Sequence, residues 1–106
     1  MLVKNRRFMK EYSKGLELIE DLFSKRWVPE IIHSIGIGNN NYKKILDSIS
    51  YISHTELSRK IKLLLDYGVI KRDDKDKAYK LTQFGFDVDH VFGHIYDISD
   101  KYLKRD

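Results

Sequence analysis

Apolar positions fall at helical spacing along most of this chain and change to a strand-like pattern only once. Leu57, Ile61, Leu64 and Leu65 recur at i, i+4, i+7 and i+8, which makes one stripe of a helix over residues 53–67. Ser53 followed by Glu56 is the S-x-x-E capping box, in which each side chain satisfies the other residue's backbone amide. Gly68 closes the helix, because a left-handed C′ position costs glycine nothing. At about 100° per residue, Thr55, Arg59, Lys62 and Asp66 point away from the stripe, with Ser58 on its flank. A well-capped helix therefore carries a bare polar and basic face.

Other segments follow the same logic. Residues 6–14 read as a short amphipathic segment, with Phe8, Met9 and Tyr12 among basic residues, and Gly15 is expected to break it. Leu16, Ile19, Leu22 and Phe23 then predict a first core helix over residues 16–24. Pro29 marks the start of a second helix, where its missing N–H is harmless, and Ile31, Ile32 and Ile35 supply its buried side. GIGNNN at 36–41 is the clearest loop. NYKKILDSI is a short third helix with Tyr42, Ile45, Leu46 and Ile49 turned inward.

After Gly68 the period changes. Residues 69–70 and 79–81 are strand-like and flank a polar tip at 73–77, which predicts a β-hairpin. That tip has no glycine, so a turn longer and looser than a two-residue hairpin is expected. Thr82 caps a long final helix. Its apolar positions Phe84, Val88, Val91, Ile95, Ile98 and Tyr102 are spaced as a heptad seam, with Phe92 beside it.

At 106 residues the chain is one domain, 1–106. It is 42% apolar and 34% charged, the balance of a folded protein. The absence of cysteine excludes disulfides, thiolate metal sites and thiol redox sensing. No segment reads as a signal peptide or reaches the roughly 20 apolar residues of a membrane helix, so a cytoplasmic protein is expected. Net charge is +4, and its distribution is uneven: +3 over residues 1–26 and again over 53–82, 0 over 27–52, and −2 over 83–106. Such asymmetry suits a protein that meets a polyanion with one surface. Charge of this size decides little alone.

Three short helices, a fourth with a polar outer face and then a hairpin give the order of a winged helix-turn-helix. The fold class is thus mainly α (α+β), with a two-stranded wing and a long C-terminal dimerisation helix. A major groove about 12 Å wide admits one helix, and motifs of this kind lay the second helix of the pair into it. On this reading Arg59 makes paired hydrogen bonds to guanine, and His54, Thr55, Ser58 and Lys62 add single bonds. Lys43 and Lys44 face phosphates, and Arg72 and Lys75 carry the wing to the backbone. Asp66 repels phosphate, so only the N-terminal half of the helix enters the groove.

In these pieces the chain resembles the HxlR-type winged-helix transcriptional regulators of bacteria. The matching segments are KRW at 25–27, NYKKI at 41–45, ISHTELSRKIKLLLDYGVIKR at 52–72 and YKLTQFG at 79–85, and the likeness spans about residues 16–100. It implies a dimeric DNA-binding regulator, paired through its terminal helices (about 6–14 and 83–104) and binding an inverted repeat. There are departures. The family's G-x-K-W is Ser24-Lys25-Arg26-Trp27 here, and its arginine in the recognition helix is Lys60. Several members sense oxidants through an N-terminal cysteine that this chain lacks.

Each feature has a plainer reading beside it. A charged helix face is usually just solvated, and Thr55, Ser58 and His54 also serve as ordinary caps. The wing tip sets Asp73, Asp74 and Asp76 against Lys75 and Lys77, close to neutral. On the last helix, Asp87, His90, His94 and Asp97 share a face, and H-x-x-x-H is metal-ligand spacing. Without a third histidine nearby they are better read as flanking a dimer interface, so neither a metal nor another cofactor is expected. From Val91 onward a winged core has little left to cover the seam, and a contiguous apolar strip normally marks an interface. The expected interface comprises Val88, Val91, Phe92, Ile95, Ile98 and Tyr102. Trp27 reads as core packing, and no residue pattern defines a small-molecule effector site. The alternative to a sequence-specific regulator is a winged-helix interaction module that has lost DNA. No nucleophile–base pair, glycine-rich loop or paired carboxylate suggests an enzyme.

Overall fold

The computed structural model describes residues 6–104, and both ends of the domain assigned to 1–106 lie outside them. Seven elements follow in order: α1 (Arg6–Phe23), α2 (Val28–Gly36), α3 (Tyr42–Ser48), α4 (His54–Asp66), β1 (Ile70–Arg72), β2 (Tyr79–Leu81) and α5 (Gln83–Tyr102). This is a winged helix-turn-helix.

α2 is the hub, its apolar side turned into the core and Glu30 and His33 left exposed on the other. Val28, Ile31 and Ile32 are fully buried, and α3, α4, β2 and α5 pack around them. Ile45 from α3, Leu57, Ile61 and Leu64 from α4, and Val69, Ile70, Leu81 and Val88 complete the core. Burying each such side chain stabilises the fold by about 1.5–3 kcal/mol. Ser34 of α2 and Ser48 of α3 share a 2.6 Å hydrogen bond, and the amide of Asn39, in the loop between the helices, donates to Ser34 Oγ at 3.1 Å.

α1 departs from expectation in two ways. Gly15 does not break it. A helical glycine costs about 1 kcal/mol against alanine, too little to end a helix continued on both sides by Lys14, Leu16 and Glu17. Nor is residues 16–24 a core helix, since Leu22 is its one buried residue while Leu16 and Ile19 are exposed. Phe23 half-buries against Phe92 at 4.3 Å, and Tyr67 Oη donates to Asp21 at 3.1 Å. The last turns of α1 are seated; before them Phe8, Met9, Tyr12 and Leu16 are exposed, with Phe8 and Tyr12 stacked on each other at 6.1 Å.

The end of α4 is built as its glycine predicts. Gly68 takes φ 76°, its amide reaches the Leu65 carbonyl at 3.1 Å and that of Val69 reaches Leu64 at 2.9 Å. This is a Schellman closure with Leu64 and Val69 buried together. Leu65, by contrast, is exposed, and Leu63 packs on the core instead.

β1 and β2 pair antiparallel with Ile70 opposite Leu81 and Arg72 opposite Tyr79. Their tip is tighter than its lack of glycine suggests. The Asp73 carboxylate accepts the Lys75 amide at 2.8 Å, the Asp76 carboxylate accepts that of Ala78 at 2.8 Å, and Lys77 supplies the left-handed residue at φ 59°. Short acidic side chains do here what glycine does elsewhere. At the base, the Thr82 hydroxyl donates to the Gly68 carbonyl at 2.6 Å and accepts the Gly85 amide at 3.1 Å, joining the end of α4 to the start of α5. A Cβ at Gly85 would collide with the Val69 carbonyl, so the close approach of α5 requires glycine there.

Candidate nucleic-acid interface

The turn between α3 and α4 presents the N-terminal half of α4 to solvent. His54, Thr55, Ser58, Arg59 and Lys62 are all exposed. Thr55, Arg59 and Lys62 have no side-chain hydrogen bond or ion pair among the described residues. Asp66 lies exposed at the far end of the helix.

Two bonds that sequence spacing does not reveal fix this helix. Ser53 Oγ accepts the Glu56 amide at 3.1 Å, as the capping box predicts, and its hydroxyl returns to Glu56 Oε1 at 3.3 Å. The other carboxylate oxygen is held from α2: the Trp27 indole N–H donates to Glu56 Oε2 at 3.0 Å. Trp27, half-buried and left-handed at φ 75°, is therefore more than core packing, and Arg26 lies 4.8 Å over its ring. The indole bond, then Ser53 and the Arg26 charge, hold the Glu56 carboxyl below its ordinary pKa against partial desolvation.

Tyr42 makes the second tie. It is half-buried, its ring packed against the core as expected and its hydroxyl at the seam of α3 and α4. Its hydroxyl donates to the His54 carbonyl at 2.8 Å, and its ring stacks on the His54 imidazole 5.8 Å away. With that proton committed, Ser58 is the donor in the 2.9 Å bond between Ser58 Oγ and the Tyr42 oxygen. Ser58 Oγ is thus left with lone pairs only for any further partner. An amphipathic tyrosine in a first helical turn is the sequence signal that points to such a tie.

Beside the helix, Asn41, Tyr42, Lys43, Lys44, Asp47 and Arg72 line one shallow concavity. Lys44 has no side-chain ion pair among the described residues; Lys43 binds Asp47 at 2.9 Å, which raises the lysine pKa. Arg72 folds back on its wing, Nε donating to the Lys77 carbonyl at 3.1 Å and the guanidinium 5.3 Å from the Tyr79 ring. Lys75 stands at the tip with its ammonium unpaired among the described residues. The amides of Lys75 and Asp76, followed by Lys80, hold the Asp73 carboxyl below its usual range.

The expected interface residues of α5 divide. Val88 is 4% exposed and belongs to the chain's own core, and Phe92 is half-buried on Phe23. Val91, Ile95, Ile98 and Tyr102 stay exposed. His90 and His94 meet edge to face at 5.4 Å, and no three potential metal ligands come together among the described residues.

A family model described as HxlR-like helix-turn-helix matches residues 22–106. Among solved structures, the chain is similar to the quinone-bound YodB from B. subtilis at 28% identity, over 83% of this chain and 97% of that one, with a TM-score of 0.72. The reduced form of the transcriptional regulator YodB from B. subtilis gives 26% identity, 85% and 93% coverage and a TM-score of 0.73. A protein from Thermoplasma volcanium described as a possible HxlR family transcriptional factor gives 30% identity, 78% and 82% coverage and a TM-score of 0.60. No curated protein matches the chain.

Proposed function

The chain belongs to the HxlR-like helix-turn-helix family of transcriptional regulators, and on that premise we propose that it acts as a homodimer reading an inverted repeat in duplex DNA. One observation carries the reading: Thr55, Arg59 and Lys62 project from a helix tied to Trp27 and to α3, yet their side chains make no hydrogen bond or ion pair among the described residues. Arg59 suits paired bonds to guanine, Thr55 and Lys62 suit single bonds, and Ser58 and His54 frame them. Lys44, Lys43, Arg72 and Lys75 border the same side and suit phosphate, the salt-dependent part of affinity.

The inverted repeat rests on pairing. Val91, Ile95, Ile98 and Tyr102 form an exposed apolar strip on α5, and Phe8, Met9, Tyr12 and Leu16 form another on α1. A two-fold dimer covering them would set its recognition helices about 34–36 Å apart, one DNA turn. The activity is binding, with no catalytic step, and DNA as partner puts the protein in the cytoplasm. Among the described residues no helix is long and apolar enough to cross a membrane.

The test is selection of bound fragments from random duplex DNA, wild type beside Arg59→Ala near physiological salt. An enriched inverted repeat is expected, with Arg59→Ala losing about 1–3 kcal/mol on it and relaxing base preference at one position of each half-site. No enrichment by the wild type would reject the reading and favour an interaction module.

A further inference from the structure

Three residues other than glycine adopt positive φ among the described residues: Trp27 at 75°, Tyr51 at 72° and Lys77 at 59°. Side chains pay for this conformation in steric strain, so each instance calls for a compensating contact. Trp27 has one in its indole bond to Glu56. Lys77 has two, its amide bonded to the Asp73 carbonyl at 2.9 Å and its own carbonyl taking Arg72 Nε. Tyr51 has none: it is 95% exposed and makes no hydrogen bond or ring contact among the described residues.

The turn itself explains the backbone angle. Ile49 and Ile52 are buried on either side, at 8% and 9% exposure, and the chain between them has to reverse within two residues. It does not explain the side chain, because glycine or asparagine fits that angle at lower cost. Tyr51 stands two residues ahead of Ser53, the N-cap of α4, at the rim where that helix would enter the groove. A segment at that rim meets the sugar–phosphate backbone, and tyrosine hydroxyls are among the neutral donors that bind phosphate oxygens.

We propose that Tyr51 is a DNA-backbone contact, its hydroxyl donating to a phosphate oxygen beside the recognition helix. This rests on the DNA-reading function above. It adds an uncharged anchor to a surface otherwise defined by lysine and arginine, and one that an inventory of basic residues passes over. Because no cation is involved, the contact releases no counterion and leaves the salt dependence unchanged. Because it touches no base edge, it acts equally on every sequence.

The experiment measures binding of wild type, Tyr51→Phe, Tyr51→Gly and Arg59→Ala to the selected operator and to single-base variants of it, over a range of salt, together with thermal melting of each protein. Tyr51→Phe, which keeps the ring and backbone, is expected to bind about three- to tenfold more weakly on all sequences alike, with the salt slope of the wild type. Tyr51→Gly is expected to bind at least as weakly while melting no lower than wild type. Full-strength binding by Tyr51→Phe, a loss confined to one base position, or a lowered melting temperature for Tyr51→Gly would each overturn the proposal. If Arg59→Ala loses affinity while both Tyr51 variants bind normally, the regulator reading stands and only Tyr51 is removed from it. If the wild type selects no DNA, both fall together.

Discussion

Glu56 serves two partners at the start of the recognition helix, and its charge matters to both. Ser53 needs the carboxylate as part of the cap, and the Trp27 indole needs it as an acceptor 3.0 Å away. The folded state therefore holds this carboxyl below its ordinary pKa of 4.5, the indole bond being the largest cause. A depressed carboxylate contributes stability that is present above its unfolded pKa and lost as pH falls through the folded value. Urea unfolding from about pH 6 down to about pH 3 should thus show wild type losing its advantage over Glu56→Gln progressively below about 4.5. Asp73 titrates alike in both proteins and drops out of the difference. Parallel curves would mean that the contact is indifferent to charge. The cap was legible because its two residues are three apart and the spacing is enforced by the helix. The indole bond was not: Trp27 lies 29 residues away, and nothing in local periodicity marks which acceptor a half-buried indole will find.

The helix-turn-helix pair and the wing are legible as elements, since caps, apolar spacing and the Gly68 closure all agree on them. What escapes is how each element distributes its charges. Lys43 was expected to face phosphate, and its ammonium instead rests on Asp47 one turn on. An exposed pair of this kind contributes little stability, but it lowers the charge that α3 presents to a polyanion. Asp47→Asn should free Lys43 and steepen the salt dependence of operator binding by about one in the slope of log K against log salt. Fluorescence anisotropy titrations across salt measure it directly, and an unchanged slope would place Lys43 off the DNA. At the wing tip and in α1 the surrounding contacts outweigh the local preference of single residues. Asp73 and Asp76 tighten a turn without glycine, and one glycine in mid-helix left α1 continuous over eighteen residues.

For the whole molecule, shape and apolar surface point the same way. The radius of gyration is 16.1 Å over extents of 50 × 41 × 21 Å, whereas about 13 Å is expected for a compact domain of roughly 100 residues. α1 and α5 meet at Phe23 and Phe92 and leave apolar side chains exposed along both helices. The heptad spacing of α5 is readable in the sequence; which of its positions the core takes is not, because Val88 lies on the same seam as Ile95 and Ile98, with Phe92 beside it. A second copy of the chain is the occupant that the proposed reading of an inverted repeat requires. Replacing Ile95 and Ile98 together by glutamate should leave the winged core intact, since both are more than half exposed, at 52% and 55%. The double variant is expected to sediment as a monomer where wild type sediments as a dimer at micromolar concentration. It should also bind the full operator about a hundredfold or more weaker, because the second half-site is no longer reached by an already tethered partner. Its affinity for an isolated half-site should be unchanged. A wild type that sediments as a monomer, or a double variant that retains full operator affinity, would remove pairing through α5 and require the two half-sites to be read independently.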